Sequence, residues 1–286
     1  MPIVRLNHNS RWLGVLVKAS LILLFIGLVL AAFYPAFANS ASPSLTTKPL
    51  RQADWPTVGT GAGSMRFEHL GIQEGLSDNA VLAVFQDSLG FLWFGTQEGL
   101  NKYDGYEFII YTAELDNPES LSDSTVTALA ETEDGTLWVG TQNGGLNRFD
   151  PNTQIFTQVD LSTETEVNHD LQINVLWIDL QDRVWVGTDN GLIRLNPRDR
   201  STHHFQHDPN NAGSLSNNEV LALFEDQAGE LWIGTANGLN RLEDDGTFSR
   251  YLTGVSSGVS TVTAIERDGN GNLWFGSFGG LVRFNI

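Results

Sequence analysis

The sequence predicts an all-β fold of repeated antiparallel sheets, and three observations carry that prediction. Five tryptophans, Trp93, Trp138, Trp185, Trp232 and Trp274, stand in copies of one motif, spaced 45, 47, 47 and 42 residues apart. Twelve residues before each stands a β-branched residue, Val81, Val126, Ile173, Val220 or Val262. Between the two lies an Asp-x-x-Gly stretch or a near copy of it. A fixed period in this range marks a repeat architecture in which each repeat is one supersecondary unit.

Each unit resolves into four strands. The β-branched residue opens a short apolar run, such as VLAVF (81–85), VTALA (126–130) or VLALF (220–224), too short for a helix. Asp87, Asp179, Asp226 and Asp268, with Gly90, Gly135, Gly229 and Gly271, then give hairpin chemistry: the Asp bonds the turn backbone and the Gly supplies a positive φ. The third copy has Asp182 where the others have Gly, and Asp tolerates the left-handed region better than most residues. A Trp-x-Gly-Thr strand follows, then a turn (QEG, QNGG, DNG, ANG, FGG) and a third strand (LNKY, LNRF, LIRL, LNRL, LVRF). Fourth strands are expected at 106–111, 154–159, 202–206 and 247–251. Four antiparallel strands in 40–50 residues form the blade of a β-propeller. A tryptophan at a fixed point of each blade fills the space against its neighbour, and burying it contributes roughly 4–6 kcal/mol by area.

The expected fold is therefore a propeller of five four-stranded blades over 66–286. The fifth copy ends after its third strand, and the segment 66–70 ahead of the first blade has strand character without a partner. Pairing the two would complete the last blade and cover an edge that invites aggregation.

Ahead of the propeller, Arg5, Arg11 and Lys18 precede the apolar run 19–33, and Ala36-Phe37-Ala38 closes it with small residues. That is the layout of a signal peptide over 1–38, or of an N-terminal membrane anchor if uncleaved. Either reading places the propeller in the periplasm or outside the cell. Residues 39–65, rich in Ser, Thr, Pro and Gly, read as a flexible linker.

The repeats resemble the two-component regulator propeller family, the extracytoplasmic sensor propellers of bacterial signalling receptors. The stretch FEHLGIQEGLSDNAVLAVFQDSLGFLWFGTQEGLNKYDGYEF (67–108) is similar to that family's first blade, and SLSDS (120–124) and SLSNN (214–218) match its lead into the innermost strand. WD-repeat propellers fit poorly, because no Trp-Asp dipeptide occurs. The resemblance implies signal reception, often of saccharides, with output through a kinase or similar module; members usually carry more blades than the five seen here.

Composition narrows the chemistry. The chain has 16 basic and 34 acidic residues, and residues 1–38 contribute only basic ones, so the propeller is strongly acidic and an unfavourable surface for nucleic acid or anionic lipid. With no cysteine there is no disulfide and no thiolate metal site. No nucleophile elbow, phosphate-binding glycine loop or zinc signature is present. His203, His204, His207 and Asp208 form the one metal-like cluster, but His203 and His204 alternate across a strand and point to opposite faces. The Asp-x-x-Gly turns supply too few oxygens for calcium. No cofactor and no catalytic residue is expected.

A ligand site is expected on geometric grounds. In a propeller, the turn between second and third strands shares one face with the link between blades. Those positions hold Asp78, Asn79, Gln97, Glu98, Asp123, Gln142 and Asn143 in the first two blades, then Asp170, Asp189, Asn190, Asn217, Asn218 and Asn237. Such a ring of Asp, Asn and Gln suits a polar ligand such as a sugar. Asn-Gly at 143–144, 190–191 and 237–238 is also what a tight hairpin demands. The binding candidates are Asp78, Asn79, Glu98, Asp123, Gln142, Asn143, Asp189 and Asn217. Glu98, Gln142 and Asp189 lead that group, because turn chemistry does not require them. The function expected is that of an exported, non-catalytic sensor that binds a polar ligand or a partner protein on one face and acts through a separate membrane signalling protein, or as the leading part of a longer receptor. The alternatives are a lyase or glycosidase on the same scaffold, and an interaction platform in the envelope.

Overall fold

The structure, a computed structural model, describes residues 69–162, 171–253 and 260–284. The expected signal segment and linker lie outside the described residues.

A short 3-10 turn at Ile72–Glu74 leads into the first blade, made of β1 (Val81–Gln86), β2 (Leu92–Thr96), β3 (Gly99–Tyr103) and β4 (Phe108–Tyr111). The second blade holds β5 (Val126–Glu131), β6 (Leu137–Thr141), β7 (Leu146–Asp150) and β8 (Ile155–Val159). The third holds β9 (Ile173–Ile178), β10 (Val184–Thr188), β11 (Gly191–Leu195) and β12 (Thr202–Phe205). The fourth holds β13 (Val220–Glu225), β14 (Leu231–Thr235), β15 (Gly238–Leu242) and β16 (Phe248–Tyr251). The fifth holds β17 (Val262–Arg267), β18 (Leu273–Ser277) and β19 (Gly280–Phe284). Each sheet is antiparallel with its strands in chain order. Of the strand expected at 66–70, residues 66–68 lie outside the described residues, and His69 and Leu70 are in no strand. Among the described residues the fifth sheet therefore has three strands.

The Asp-x-x-Gly turns form as their chemistry requires. Gly90, Gly135, Gly229 and Gly271 have φ of 93°, 82°, 84° and 90°, and Asp182 takes the same region at 63°. The aspartate does more than cap the turn. Asp179 Oδ1 accepts from Gln181 N and Arg183 N, while its Oδ2 accepts from the Trp185 indole at 2.8 Å and from Arg183 Nε at 2.6 Å. Asp87 and Asp268 accept from Trp93 and Trp274 in the same way, at 2.8 and 2.9 Å. The Trp274 indole and the Asn272 amide hold the Asp268 carboxyl well below the usual range. In the second blade Thr132 replaces the aspartate, and its hydroxyl accepts from Trp138 at 3.2 Å. The buried Trp232 Nε1 makes no hydrogen bond among the described residues, although Asp226 stands at the corresponding place.

Blades join through an apolar seam and a close backbone approach. Trp93 meets Tyr111 of its own blade and Phe149 of the next, and Trp232 likewise meets Tyr251 and Phe284. The glycine of Trp-x-Gly-Thr receives the β-branched residue that opens the next blade. A Cβ on Gly95, Gly187 or Gly234 would stand 2.7, 2.7 or 2.8 Å from Cγ1 of Val126, Val220 or Val262, and one on Gly140 would overlap Ile173. Immediately after each β-branched residue the inner strand slips register by one residue, a β-bulge repeated in all five sheets. The bulged residue can then reach sideways: Thr127 Oγ1 donates to Ile173 O at 2.6 Å, and Asn174 Nδ2 to Val220 O at 3.0 Å.

A second repeated device lies near the blade entry. Asn101, Asn147 and Asn240 on the third strands each accept from the backbone N–H of Ser77, Ser122 or Ser216 and donate to that serine's Oγ. The third and fifth blades have Ile193 and Val282 at the asparagine position.

Two pairs of substitutions test these contacts. Asp179→Ala removes two turn bonds, an ion pair and an indole partner, and should cost about 2–4 kcal/mol in urea unfolding. Asp226→Ala should cost about 1 kcal/mol less, since it has turn bonds to Ala228 N and Glu230 N but none from an indole. Gly140→Ala should cost about 1–3 kcal/mol through overpacking against Ile173, whereas Gly276→Ala, whose nearest neighbour is its own sheet at 3.3 Å, should change stability by less than about 0.5 kcal/mol.

Candidate functional site

One rim of the blades is formed by the turns between second and third strands, and by the segments that lead into the inner strands. Backbone and threonine hydrogen bonds stitch these together. Gln142 N donates to Thr125 O at 3.0 Å, Asp189 N to Gln172 O at 3.4 Å and Ala236 N to Glu219 O at 3.0 Å. Others cross the seam: Thr125 Oγ1 donates to Gln97 O, Gly191 N to Asn218 O and Thr261 Oγ1 to Ala236 O. The expected sharing of one face by these two kinds of segment is what the structure shows.

The turns are closed differently from the sequence expectation. A hairpin built on Asn-Gly would place both residues at positive φ, but at 190–191 and 237–238 only Gly191 and Gly238 do so, at 119° and 127°. The missing closure comes from the threonine of Trp-x-Gly-Thr. Thr188 Oγ1 accepts from Asn190 N at 3.0 Å and donates to Gly191 O at 2.8 Å, and Thr96, Thr141 and Thr235 repeat the arrangement. The invariance of that hydroxyl across four repeats was the signal available in the sequence.

The polar residues of the rim separate into two groups. Asp78 Oδ1 accepts from Ala80 N, Asn79 Oδ1 from Ile72 N and Asn217 Oδ1 from Glu219 N, so their carbonyl or carboxylate oxygens serve local turns. Asp123 Oδ2 accepts from Asn143 N at 2.8 Å, which brings this predicted pair together across one blade, and its Oδ1 accepts from Thr125 N. Asn218 Oδ1 accepts from His207 N, and Asn190 Oδ1 from Gln206 Nε2. By contrast, Glu98, Gln142 and Asp189 are exposed, and their side chains make no hydrogen bond among the described residues. They come from the turns of three consecutive blades. Asp170 lies outside the described residues.

The histidine cluster is absorbed into the scaffold. His204 Nε2 pairs with Asn190 O at 2.9 Å, His207 Nδ1 with Leu215 O at 2.6 Å, and His203 sets its ring edge to face on Phe205. No group of three or more His, Asp or Glu residues stands within metal-holding reach among the described residues. On the opposite rim, a shallow depression of about 430 Å³ lies between Thr132, Glu133, Asp134, Asp182, Pro197 and Arg198. Close to that rim, burial pushes the Glu225 carboxyl up, although it accepts from Leu180 N.

Sheets in this order, joined by tryptophan seams and presenting interlocked turns on one rim, define a repeat β-propeller. Four of its repeats match the two component regulator propeller family, at residues 75–98, 120–143, 214–237 and 256–279. The repeat around Trp185, outside the matched stretches, is the one with Asp182 in place of glycine and no serine-bearing lead. Over 46 residues the chain is 50% identical to Histidine kinase P4 of Formosa agariphila, a stretch covering 16% of this chain and 3% of that protein. Among solved structures, the extracellular domain of a putative hybrid two component system from B. thetaiotaomicron is similar at 26% identity and a TM-score of 0.54, over 77% of this chain and 35% of that one. Virginiamycin B lyase of Staphylococcus aureus shares the fold at 16% identity and a TM-score of 0.54, over 74% of this chain and 72% of the lyase. The chain thus spans about a third of the sensor domain it resembles. No helix among the described residues is long and apolar enough to cross a membrane.

The closure of the turns is open to test. Thr188→Val keeps the shape but leaves Gly191 O and Asn190 N without their side-chain partner in a buried turn. It should lower stability by about 1–3 kcal/mol, measured by denaturant unfolding.

Proposed function

We propose that this chain is the exported sensing part of a two-component-type signalling system. It binds a polar ligand, a saccharide being the best candidate, on the rim of turns and blade leads, and passes the signal to a separate membrane signalling protein. Residues 1–38 direct export and either leave or remain as an anchor. The observation that carries this reading is the division of the rim. Asp78, Asn79, Asp123, Asn143 and Asn217 hold the turns in shape, while Glu98, Gln142 and Asp189 project from three neighbouring blades with no side-chain hydrogen bond among the described residues. Two carboxylates and an amide on a rigid backbone offer acceptors and donors to a hydroxyl-rich ligand. Similarity to the extracellular domain of a two component system supports the signalling role.

Isothermal titration of the purified chain against a panel of neutral oligosaccharides tests the proposal. At least one should bind, and the triple substitution Glu98→Ala, Gln142→Ala, Asp189→Ala should weaken it at least about tenfold while moving the melting temperature by no more than about 2 °C. Equal binding by the triple variant would remove the rim from consideration, and turnover of a bound glycan would make the protein an enzyme.

A further inference from the structure

The third blade gathers positive charge without the partners that other blades give it. In every blade the repeated tryptophan pairs across the sheet with a basic residue of the third strand: Lys102, Arg148, Arg194, Arg241 or Arg283. Lys102 lies over the Phe91 ring, and Arg148 is exposed to water. In the fourth and fifth blades the residue two before the tryptophan is an acceptor. Arg241 Nη1 donates to Glu230 at 3.2 Å, with Glu243 taking its Nε and Nη2, and Arg283 Nη2 donates to Asn272 at 3.3 Å. In the third blade that place is held by Arg183, a like charge. The place of Glu243 is held by Asn196, whose Oδ1 accepts from Arg198 N. Arg194 is half-buried, and its guanidinium makes no hydrogen bond or ion pair among the described residues.

Three basic side chains thus stand on one aromatic platform. Trp185 and Phe205 stack with ring centres 5.9 Å apart. The Arg183 and Arg194 guanidiniums each lie 5.7 Å from the Trp185 ring centre, and Arg194 lies 5.9 Å from that of Phe205. His203 pairs with Arg194 across the sheet, packs against Phe205 at 4.4 Å and is exposed. Its ring nitrogens make no hydrogen bond among the described residues. The nearby carboxylates are already engaged. Asp179 accepts from Gln181 N, Arg183 N, Arg183 Nε and the Trp185 indole, and Glu225 of the next blade accepts from Leu180 N. Burial and the neighbouring Arg183 push the Arg194 pKa down, with Asp179 opposing. Like charges held this close cost free energy that a bound anion removes. The turn from β11 to β12 adds Arg198 and Arg200 around a single Asp199. The corresponding turns are acidic elsewhere, with Asp104 and Glu107, Asp150, or Glu243, Asp244 and Asp245.

We propose that this face of the third blade binds an oxyanion, the phosphate or carboxylate group of a small molecule. The Arg194 fork meets two of its oxygens. Arg183 Nη1, which donates to nothing among the described residues, and the His203 ring close the seat. The fourth blade meets the same need from within the chain, by setting Glu230 and Glu243 around Arg241. In a chain with 16 basic and 34 acidic residues, a small anion is drawn to this corner rather than to the surface at large. The seat lies on strands, apart from the rim of turns, so the inference is independent of the ligand proposed above.

Titration of the purified chain with inorganic phosphate, and separately with acetate, tests the site, each against chloride at matched ionic strength. The nuclear magnetic resonance signals of the His203 ring, assigned through His203→Gln, should move and saturate with at least one of the two. The tighter of the two names the group that the natural ligand carries. Arg194→Gln should weaken that binding at least about tenfold. Should that variant not fold, Arg194→Lys, which keeps the charge and loses the fork, should weaken it about threefold or more. Arg183→Glu recreates the pairing of the fourth blade and should abolish binding. Arg241→Gln removes the same charge from the next blade and should leave binding unchanged. The inference is overturned if neither anion saturates the His203 signals below about 50 mM, if the Arg194 variants bind as the parent does, if Arg183→Glu still binds, or if Arg241→Gln weakens binding as much as Arg194→Gln.

Discussion

The approach of a β-branched side chain to a glycine in the preceding sheet is the contact on which the rest of this propeller depends. It sets how near two inner strands come, and so fixes where the indole must lie to fill the remaining space. It also explains why the bulge follows at once. With Ile173 seated over Gly140, its carbonyl is within reach only of a residue that has left the regular alternation, and Thr127 is that residue. Because interiors are close-packed, such a contact has little slack. Each blade is thus positioned by its predecessor, one seam at a time, in the manner of other repeat proteins.

Most of this scaffold was legible in the sequence because its signals are local and repeated. The interval from Val81 to Trp93 spans one hairpin, and five copies of the interval leave little freedom in assigning strands. The unusual Asp182 was readable too, since only a few residues tolerate the backbone region that Gly90 and Gly229 occupy. What escaped were contacts between side chains that repeat but lie far apart in the chain. Ser216 and Asn240 are 24 residues apart, and only the folded blade shows that one is the partner of the other. The aspartate's bond to the indole six residues on was hidden by its more obvious role in the turn.

The site was legible to a lesser degree. Placing the turns and blade leads on one rim follows from topology, and the structure shows it. Deciding which polar residues are committed to the backbone does not follow from topology. Turn chemistry set Glu98 ahead of Asn79 in the sequence, but only the structure shows that Asn79 accepts from Ile72 N while Glu98 makes no side-chain bond among the described residues. Threonine hydroxyls close the turns that the Asn-Gly pairs were expected to close. The distinction rests on individual hydrogen bonds, and those depend on positions finer than a strand assignment provides.

The stitching of the rim has a mechanical consequence. The turn that carries Gln142 is tied to the lead of its own blade, and that lead is tied through Thr125 to the turn that carries Glu98. Any force applied at one turn is therefore carried across the seam through the short Thr125 side chain, whose hydroxyl donates to the Gln97 carbonyl. A molecule gripping both turns would act as a brace, and the angle between the two blades would be linked thermodynamically to its occupancy. A change of that angle would be felt at the far rim, where Ser88 of the first blade bonds Glu131 of the second, so the seam works as a lever with a load point at each end.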